Sequence, residues 1–363
     1  MKKRRESHAI LQQNASKRSM THAYVENRSY KKRVKAKKRN LLSRTIITAP
    51  RHLSLFGKQY GLFSKFISDL ETAADTNRIL IDLSKVRQAK VSALLVLYAN
   101  IERLQKVYAD KSLIKTTMLL SREVALMFRT FGLWTLTGES SAHSGPAYPD
   151  SLEICTMSHE ANPHVDRKGE LRKILTYAKK SVEQFGVHEG SLLVVNAITE
   201  SISNVWQHAY DDSFFVDPVP IELRSWWIIV QCIQDQFFVS MYDMGAGIPA
   251  TISSKPWAAD LIESIVELLQ NSKFSLEAPD ATSIKAAVDY GKSRFKLDNR
   301  GKGLTEAKDF VQLNPEGSLF IFSGYGRYVY RTKDDKELLG TLNTQFRGTL
   351  IQWNLKLEKK NEA

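Results

Sequence analysis

The sequence predicts an α/β protein made of two modules behind a basic arm, and three observations support this. Residues 43–140 alternate β-branched runs with helical periodicity, which is typical of strands covered by helices. Residues 165–357 combine further helical patterns with several strand candidates. The 363 residues are 43% hydrophobic and 10% aromatic, which is enough for two domains with real cores.

The basic charge of the chain is concentrated in its first 45 residues. They hold fifteen Lys and Arg against Glu6 and Glu26, which accounts for the whole net charge of +13. Residues 1–42 have too few apolar side chains to offset ordering entropy, so we predict a disordered arm. The arm could bind nucleic acid electrostatically, act as a solubilising tail, or fold onto a protein partner.

The apolar runs and the cysteines of the sequence indicate the cellular compartment and whether the chain contacts a membrane. No run of eighteen apolar residues is present, and the charged N-terminus has no apolar segment behind it. Cys155 and Cys232 form no metal or disulfide pattern and are expected to be buried thiols in a reducing cytosol. We therefore expect a cytoplasmic protein without a membrane partner.

Residues 43–140 are predicted to form the first module through three strand–helix repeats. The expected strands are residues 45–48, 78–83 and 114–120, and the expected helices are residues 60–74, 91–107 and 123–131. Residues 141–164, rich in Ser, Gly, Pro, His and Glu, are predicted to be a linker.

Residues 165–357 are predicted to form the second module, and residues 358–363 a frayed C-terminus. The expected helices are residues 168–185, a helix from about residue 190, residues 258–270 and a helix from residue 305. The expected strands are residues 221–233, 237–242, 318–330 and 348–355.

The segment Glu200-Ser-Ile-Ser-Asn204-Val-Trp-Gln-His208 carries the first candidate site. At about 100° per residue, Glu200, Asn204 and His208 lie on adjacent turns of one helix face. The amide of Asn204 suits a largely hydrated Mg²⁺, and the carboxylate of Glu200 can take a proton from water or a hydroxyl. The alternative is a solvated polar stripe on an ordinary amphipathic helix.

Three later segments add candidate ligand contacts. Asp243-Met-Gly245-Ala-Gly247 follows a predicted strand and combines an acceptor with a backbone that a flat ring can approach. Arg300-Gly301-Lys302-Gly303-Leu304 opens a predicted helix, where free N–H groups favour phosphate. Gly348-Thr349 lies within the last predicted strand. Tight turns are the alternative explanation of each glycine pair.

In this order, the four segments resemble the N, G1, G2 and G3 boxes of the GHKL ATPase superfamily, most closely those of the anti-sigma-factor serine kinases. The resemblance implies a GHKL α/β sandwich over residues 165–357, with a mixed sheet covered on one face by helices. It implies that ATP and Mg²⁺ bind, with Glu200 as general base, Asn204 on Mg²⁺ and Asp243 on the adenine amine. The remaining nucleotide contacts that it implies are His208, Gly245, Gly247, Arg300, Gly301, Lys302, Gly303, Leu304 and Thr349. A carboxylate accepts a hydrogen bond from the N6 amine of adenine. In guanine the same position is O6, which is itself an acceptor, so we expect the protein to bind ATP in preference to GTP.

The first module is similar to the STAS fold of anti-anti-sigma factors. The similarity is carried by Ile81-Asp82-Leu-Ser-Lys-Val-Arg-Gln-Ala-Lys-Val-Ser92, a strand, an Asp-Leu-Ser turn and a serine opening a helix. It makes Ser92 a candidate phosphoacceptor, although Lys90-Val91-Ser92-Ala93 stands where that family often has an acid and paired small residues. The alternative role of Ser92 is to cap the helix.

These features predict a protein that binds Mg²⁺–ATP and either hydrolyses ATP or phosphorylates a Ser or Thr of a protein partner. A regulatory module that binds ATP with little turnover is the alternative, and a nucleic-acid-associated switch that uses residues 1–42 is another. Dimerisation remains open.

Overall fold

The computed structural model describes residues 43–158, 167–183, 188–233, 235–255, 258–271, 279–290 and 303–357. The predicted arm (1–42) and C-terminus (358–363) lie outside these ranges. The described residues form helices packed on sheets, and the predicted α/β class is confirmed. None of the described helices has the length and apolar character needed to cross a membrane.

The first module is a three-stranded parallel sheet with helices in its crossovers. Parallel strands need long connections, and the helices supply them. The sheet order is β1-β3-β5, and β2 and β4 form a separate two-stranded parallel pair. Its elements are β1 (Thr45–Thr48), β2 (His52–Leu53), α1 (Gln59–Ala74), β3 (Ile79–Asp82), β4 (Gln88–Ala89), α2 (Val91–Val107), β5 (Ile114–Thr116), α3 (Arg122–Thr130) and α4 (Leu133–Leu136).

The second module is built on a five-stranded sheet of order β6-β7-β8-β10-β9. Its strands are β6 (Cys155–Ser158), β7 (Ser225–Ile233), β8 (Gln236–Asp243), β9 (Ser318–Arg331) and β10 (Lys336–Lys356). Every pairing in this sheet is antiparallel, where a mixed sheet was expected. Short hairpin turns between β7 and β8 and between β9 and β10 impose that direction.

Helices cover one face of this sheet, as predicted. They are α5 (Arg167–Glu183), α6 (His188–Asn204), α7 (Ile248–Ser253), α8 (Ala258–Asn271), α9 (Pro279–Asp289) and α10 (Gly303–Gln312). Alternate residues of β8, such as Val239 and Met241, are buried beneath the helices. Helix α9 buries Ile284 and Val288.

The first module covers the opposite face of the five-stranded sheet. Phe238 and Tyr242 of β8 belong to the same buried cluster as Phe63 of α1 and Val96 of α2. The carboxylate of Glu102 on α2 accepts hydrogen bonds from Trp227 Nε1 at 2.5 Å and from Thr156 Oγ1 at 2.7 Å. The two modules therefore share a core.

The predicted linker (141–164) is part of that shared structure where it is described. Residues 155–158 form β6, which pairs with β7, and Ile154 is buried. The Tyr148 N–H donates to Thr130 Oγ1, and the Leu152 carbonyl accepts from Gln231 Nε2. Polar composition predicted a loop here because the short strand has little apolar content of its own.

We expect a single cooperative unfolding transition for both modules. Glu102→Ala should lower the unfolding free energy by about 2 kcal/mol, because buried Trp227 Nε1 would lose its acceptor. Urea denaturation followed by tryptophan fluorescence measures this. Glu263→Ala, on the exposed face of α8, is the matched control. Two separate transitions, or equal stability of both variants, would contradict a shared core.

Candidate functional site

A row of polar side chains crosses the helix-covered face of the second sheet at one end. Thr349 of β10 pairs with Asp243 of β8 on one side and with Ser323 of β9 on the other. All three side chains are buried, and further along the same strands their positions are taken by Met241, Ile351 and Ile321. A polar row at the end of an apolar face is typical of a ligand site.

Asp243 is the charged member of this row and is only 4% exposed. Burial raises the pKa of Asp243 to about 7. Hydrogen bonds from the backbone N–H groups of Gly245 and Thr349 act in the opposite direction and lower this pKa. The Gly245 N–H lies 2.8 Å from Asp243 Oδ1. Because this pKa is raised above 3.8, the contribution of Asp243 to folding stability is fully present below pH 3.8 and is lost as the pH rises through about 7.

Helix α6 holds Glu200 and Asn204 above its buried face. Ile198 and Ile202 are buried, as the helical pattern predicted, whereas Glu200 and Asn204 are half-buried. Neither of these two polar side chains makes a hydrogen bond or ion pair with another described residue. A carboxylate and an amide are thus available to a ligand.

The helix changes to a π turn over Val205–Ala209, directly after Asn204. A π turn advances by less than 100° per residue, so His208 is rotated away from the line expected for a regular α-helix. His208 is half-buried and has other contacts in the structure. Such turns occur frequently at functional sites.

The π turn binds the loop after β8. The Ala209 carbonyl accepts the Ala246 N–H at 2.8 Å, and Tyr210 Oη accepts the Met244 N–H at 3.1 Å. A Cβ atom at Gly245 would lie 2.1 Å from the Ala209 carbonyl oxygen, so only glycine fits. This contact brings the end of the Glu200–Asn204 helix next to Asp243.

Two glycines with positive φ connect the polar row to that loop. Gly247 has a φ of +83°, and a Cβ there would lie 2.8 Å from Ser323 Oγ. Gly348 has a φ of +71°, and its Cβ would lie 2.0 Å from the Asp243 carbonyl oxygen. Ser323 Oγ donates to the Gly348 carbonyl and accepts the Ile248 N–H.

Helix α10 brings the last two residues of the predicted phosphate-binding segment 300–304 towards this site. It begins at Gly303, packs along α6, and buries Leu304. Arg300, Gly301 and Lys302 lie outside the described residues. The structure therefore brings Glu200, Asn204, Asp243, Gly245, Gly247 and Thr349 into one region, with Gly303 and Leu304 on the adjoining helix.

An ion-pair network fixes the helices on either side of residues 291–302. Glu337 of β10 accepts from Lys285 of α9 and from Lys308 of α10, each at 2.5 Å. Burial raises the pKa of Glu337, but these hydrogen bonds outweigh it and lower the pKa to about 2. Both helices are thereby anchored to the same strand.

Sequence reasoning missed three contributors to this site: Ser323, Tyr210 and Glu337. Ser323 is the one polar residue in Leu319-Phe-Ile-Phe-Ser323, and that break in an apolar run was an available signal. Tyr210 and Glu337 act through long-range contacts, for which the sequence has no local signal.

Ser92, the candidate phosphoacceptor, lies in a buried position in the first module. It is the second residue of α2, which Lys90 precedes as the N-cap, so Ser92 does not cap the helix. The side chain is 1% exposed and its hydroxyl has no partner among the described residues. A phosphoryl donor cannot reach this hydroxyl in the folded structure.

The donor set of the site fits a hydrated magnesium ion brought by a phosphate ligand. Such an ion keeps several waters and takes one or two protein oxygens, and the Asn204 amide oxygen makes no hydrogen bond within the described ranges. Within the described residues, no group of three His, Cys, Asp or Glu forms a cage for a metal of its own.

No protein-family model matches this chain, and no curated protein matches it either. The functional assignment therefore depends on the geometry of the site.

Proposed function

We propose that this protein binds Mg²⁺–ATP between α6, the loop after β8 and the polar row of the sheet. Asp243 accepts the adenine amine, Asn204 faces Mg²⁺, and Glu200 activates the attacking oxygen. Backbone N–H groups at the start of α10, with Arg300, Gly301 and Lys302, face the phosphates. The likeness of the four segments to GHKL boxes supports the same assignment.

The observation that carries this proposal is the contact between the π turn and the loop after β8. Two segments that are distant in sequence meet where the Ala209 carbonyl accepts the Ala246 N–H. The contact supports the proposal because Glu200 and Asn204, which make no hydrogen bond to the described residues, lie on the helix that ends beside the buried Asp243.

Catalysis would transfer the γ-phosphoryl group to water or to a protein hydroxyl. Glu200 would take the proton from either oxygen, so the same site supports ATP hydrolysis and Ser/Thr phosphorylation. The buried position of Ser92 favours a hydroxyl outside this chain over that serine as the acceptor.

ATP-gated regulation is the second candidate function. Arg347, two residues before Thr349, forms an ion pair with Glu71 of α1 at 2.5 Å. A change at the nucleotide site would thus reach the first module directly. We further propose a cytoplasmic location, a protein partner, and contact of residues 1–42 with nucleic acid, on the strength of sequence composition alone.

The nucleotide preference and its pH dependence test the role of Asp243. ATP should bind better than GTP, and Asp243→Ala should remove that preference. Since the carboxylate form accepts the N6 amine and the unliganded pKa is about 7, affinity should rise about tenfold from pH 6 to pH 8. Calorimetry at both pH values measures this.

Asp243→Asn is the matched control because it keeps an acceptor oxygen but does not titrate. The ATP affinity of the Asp243→Asn variant should lack the part of the pH dependence that ionisation of Asp243 contributes. Equal binding of ATP and GTP by the wild type, or the same slope in both proteins, would refute the adenine role.

A further inference from the structure

One edge of the first module carries a concentration of positive charge. The loops after β1, β3 and β5 and the start of α2 present five exposed basic side chains, which we call the basic edge: Arg51, Lys85, Arg87, Lys90 and Arg122. The Arg87 N–H donates to the Arg51 carbonyl at 2.8 Å, and the Arg87 carbonyl accepts from Ser121 Oγ at 3.2 Å, so these loops are tied together. None of the five basic side chains forms an ion pair with another described residue. Glu123 is an exposed acid beside them, but positive charge prevails.

Two exposed apolar side chains lie within the basic edge. Met118 is 61% exposed and Leu120 is 57% exposed, and both belong to the loop that leads from β5 to α3. The Leu83 N–H donates to Thr117 Oγ1 at 2.8 Å, which holds this loop beside the loop after β3. Apolar side chains among charges are typical of a contact with another protein, since a phosphate backbone offers no apolar counterpart.

The loop between the π turn and β7 has the complementary composition. Residues 211–222, which we call the acidic loop, contain four carboxylates and no Lys, Arg or His. Asp217 and Glu222 are exposed and form no ion pair with another described residue. Val216 is fully exposed and Ile221 is 54% exposed. The acidic loop therefore offers the negative charge and the apolar side chains that the basic edge lacks a partner for.

Hydrogen bonds give the acidic loop a defined shape. Arg224, just beyond its end, donates from Nε to the Val219 carbonyl at 2.7 Å and pairs with Asp212 at 2.5 Å. Asp211 Oδ1 accepts the Ser213 N–H at 2.9 Å. The exposed side chains of the loop are thus presented on a structured surface.

The basic edge and the acidic loop lie at opposite ends of α2. Lys90 immediately precedes this helix, whereas Lys106 in its last turn donates to Ser225 Oγ at 3.2 Å, next to the end of the acidic loop. Residues 221–223 also pack against α2. A helix of 17 residues is about 25 Å long, so the two surfaces cannot meet within one chain.

We propose that the basic edge of one chain receives the acidic loop of a second copy, so that the protein associates head to tail. The carboxylates of the loop pair with the basic side chains of the edge, and the exposed apolar side chains of the two surfaces cover each other. Because this contact joins two different surfaces, it builds dimers that can extend into rings or longer assemblies.

Sedimentation equilibrium of the full chain, freed of nucleic acid, tests this association. At about 50 μM protein we expect an average mass above that of a monomer in about 50 mM salt, and a mass close to the monomer in about 500 mM salt, because salt screens exposed charge pairs. A wild type that stays monomeric at low salt, or an association that salt does not weaken, would overturn the proposal.

Charge reversal on each surface localises the contact. Asp217→Lys/Glu222→Lys reverses the acidic loop, and Arg87→Glu/Arg122→Glu reverses part of the basic edge; each double variant alone should be monomeric at low salt. An equimolar mixture of the two should associate again, since the reversed loop of one matches the reversed edge of the other. If either variant associated as the wild type does, or if the mixture of folded variants stayed monomeric, head-to-tail pairing would be wrong.

Two further double variants make the same charge changes elsewhere and serve as matched controls. Glu263→Lys/Glu267→Lys on α8 and Arg172→Glu/Lys180→Glu on α5 alter exposed side chains and should associate as the wild type does. Circular dichroism and thermal unfolding verify that all four variants fold. The competing arrangement is docking of residues 1–42 on the acidic loop. It would leave the basic-edge variant with the same average mass as the wild type at low salt, and that result would refute the proposal.

Discussion

Glu200→Gln should reduce phosphoryl transfer from ATP at least 100-fold and leave ATP affinity within about threefold of the wild type. The amide keeps the shape of the side chain but cannot accept the proton of the attacking oxygen. Because Glu200 makes no hydrogen bond or ion pair with another described residue, this substitution should not disturb the fold. Labelled ATP allows released phosphate and labelled protein to be measured together.

Glu263→Gln, on the exposed face of α8, is the control and should retain full turnover. Equal turnover by Glu200→Gln and wild type would remove Glu200 from catalysis. If the wild type bound ATP without any transfer, catalysis would be excluded under those conditions and ATP-gated regulation would remain.

Gly245→Ala should lower the unfolding free energy by about 3 kcal/mol and weaken ATP binding at least tenfold. The added methyl group would lie 2.1 Å from the Ala209 carbonyl oxygen, which is backbone and cannot rotate away. Either the loop or the π turn must move, and the Ala246–Ala209 hydrogen bond would break. Urea denaturation and calorimetry measure the two effects.

Gly340→Ala in β10 is the matched substitution for this experiment. Its added Cβ would meet only the flexible end of Arg327, at 3.0 Å. We expect near wild-type stability and ATP affinity from it. If Gly245→Ala behaved like Gly340→Ala, the close packing of the two site segments would not matter for binding.

Much of the fold could be predicted because its elements have strong periodic patterns. Helix α2 has the predicted bounds, Val91–Val107, since its apolar residues mark a buried helix from end to end. Strand β6 and helix α9 were missed, because their burial depends on partners distant in sequence. The docking of the first module on the free face of the second sheet was missed for the same reason.

The candidate site was predictable where one segment supplies both the chemistry and its position. Glu200 and Asn204 lie above a buried helix face, as their spacing indicated. The π turn that displaces His208 was not predictable, because the Ala246 contact that accompanies it comes from another segment. Ser323 was missed since a single serine in a strand is an ordinary observation.

The protection of backbone amides from hydrogen exchange, measured with and without Mg²⁺–ATP, tests the central claim most directly. ATP should slow exchange in the end of α6 and its π turn, in the loop after β8, and around Thr349, while β1 and β3 should not change. Binding of ATP that protects only other parts of the chain, or no binding at all, would contradict a nucleotide site between Asn204 and Asp243.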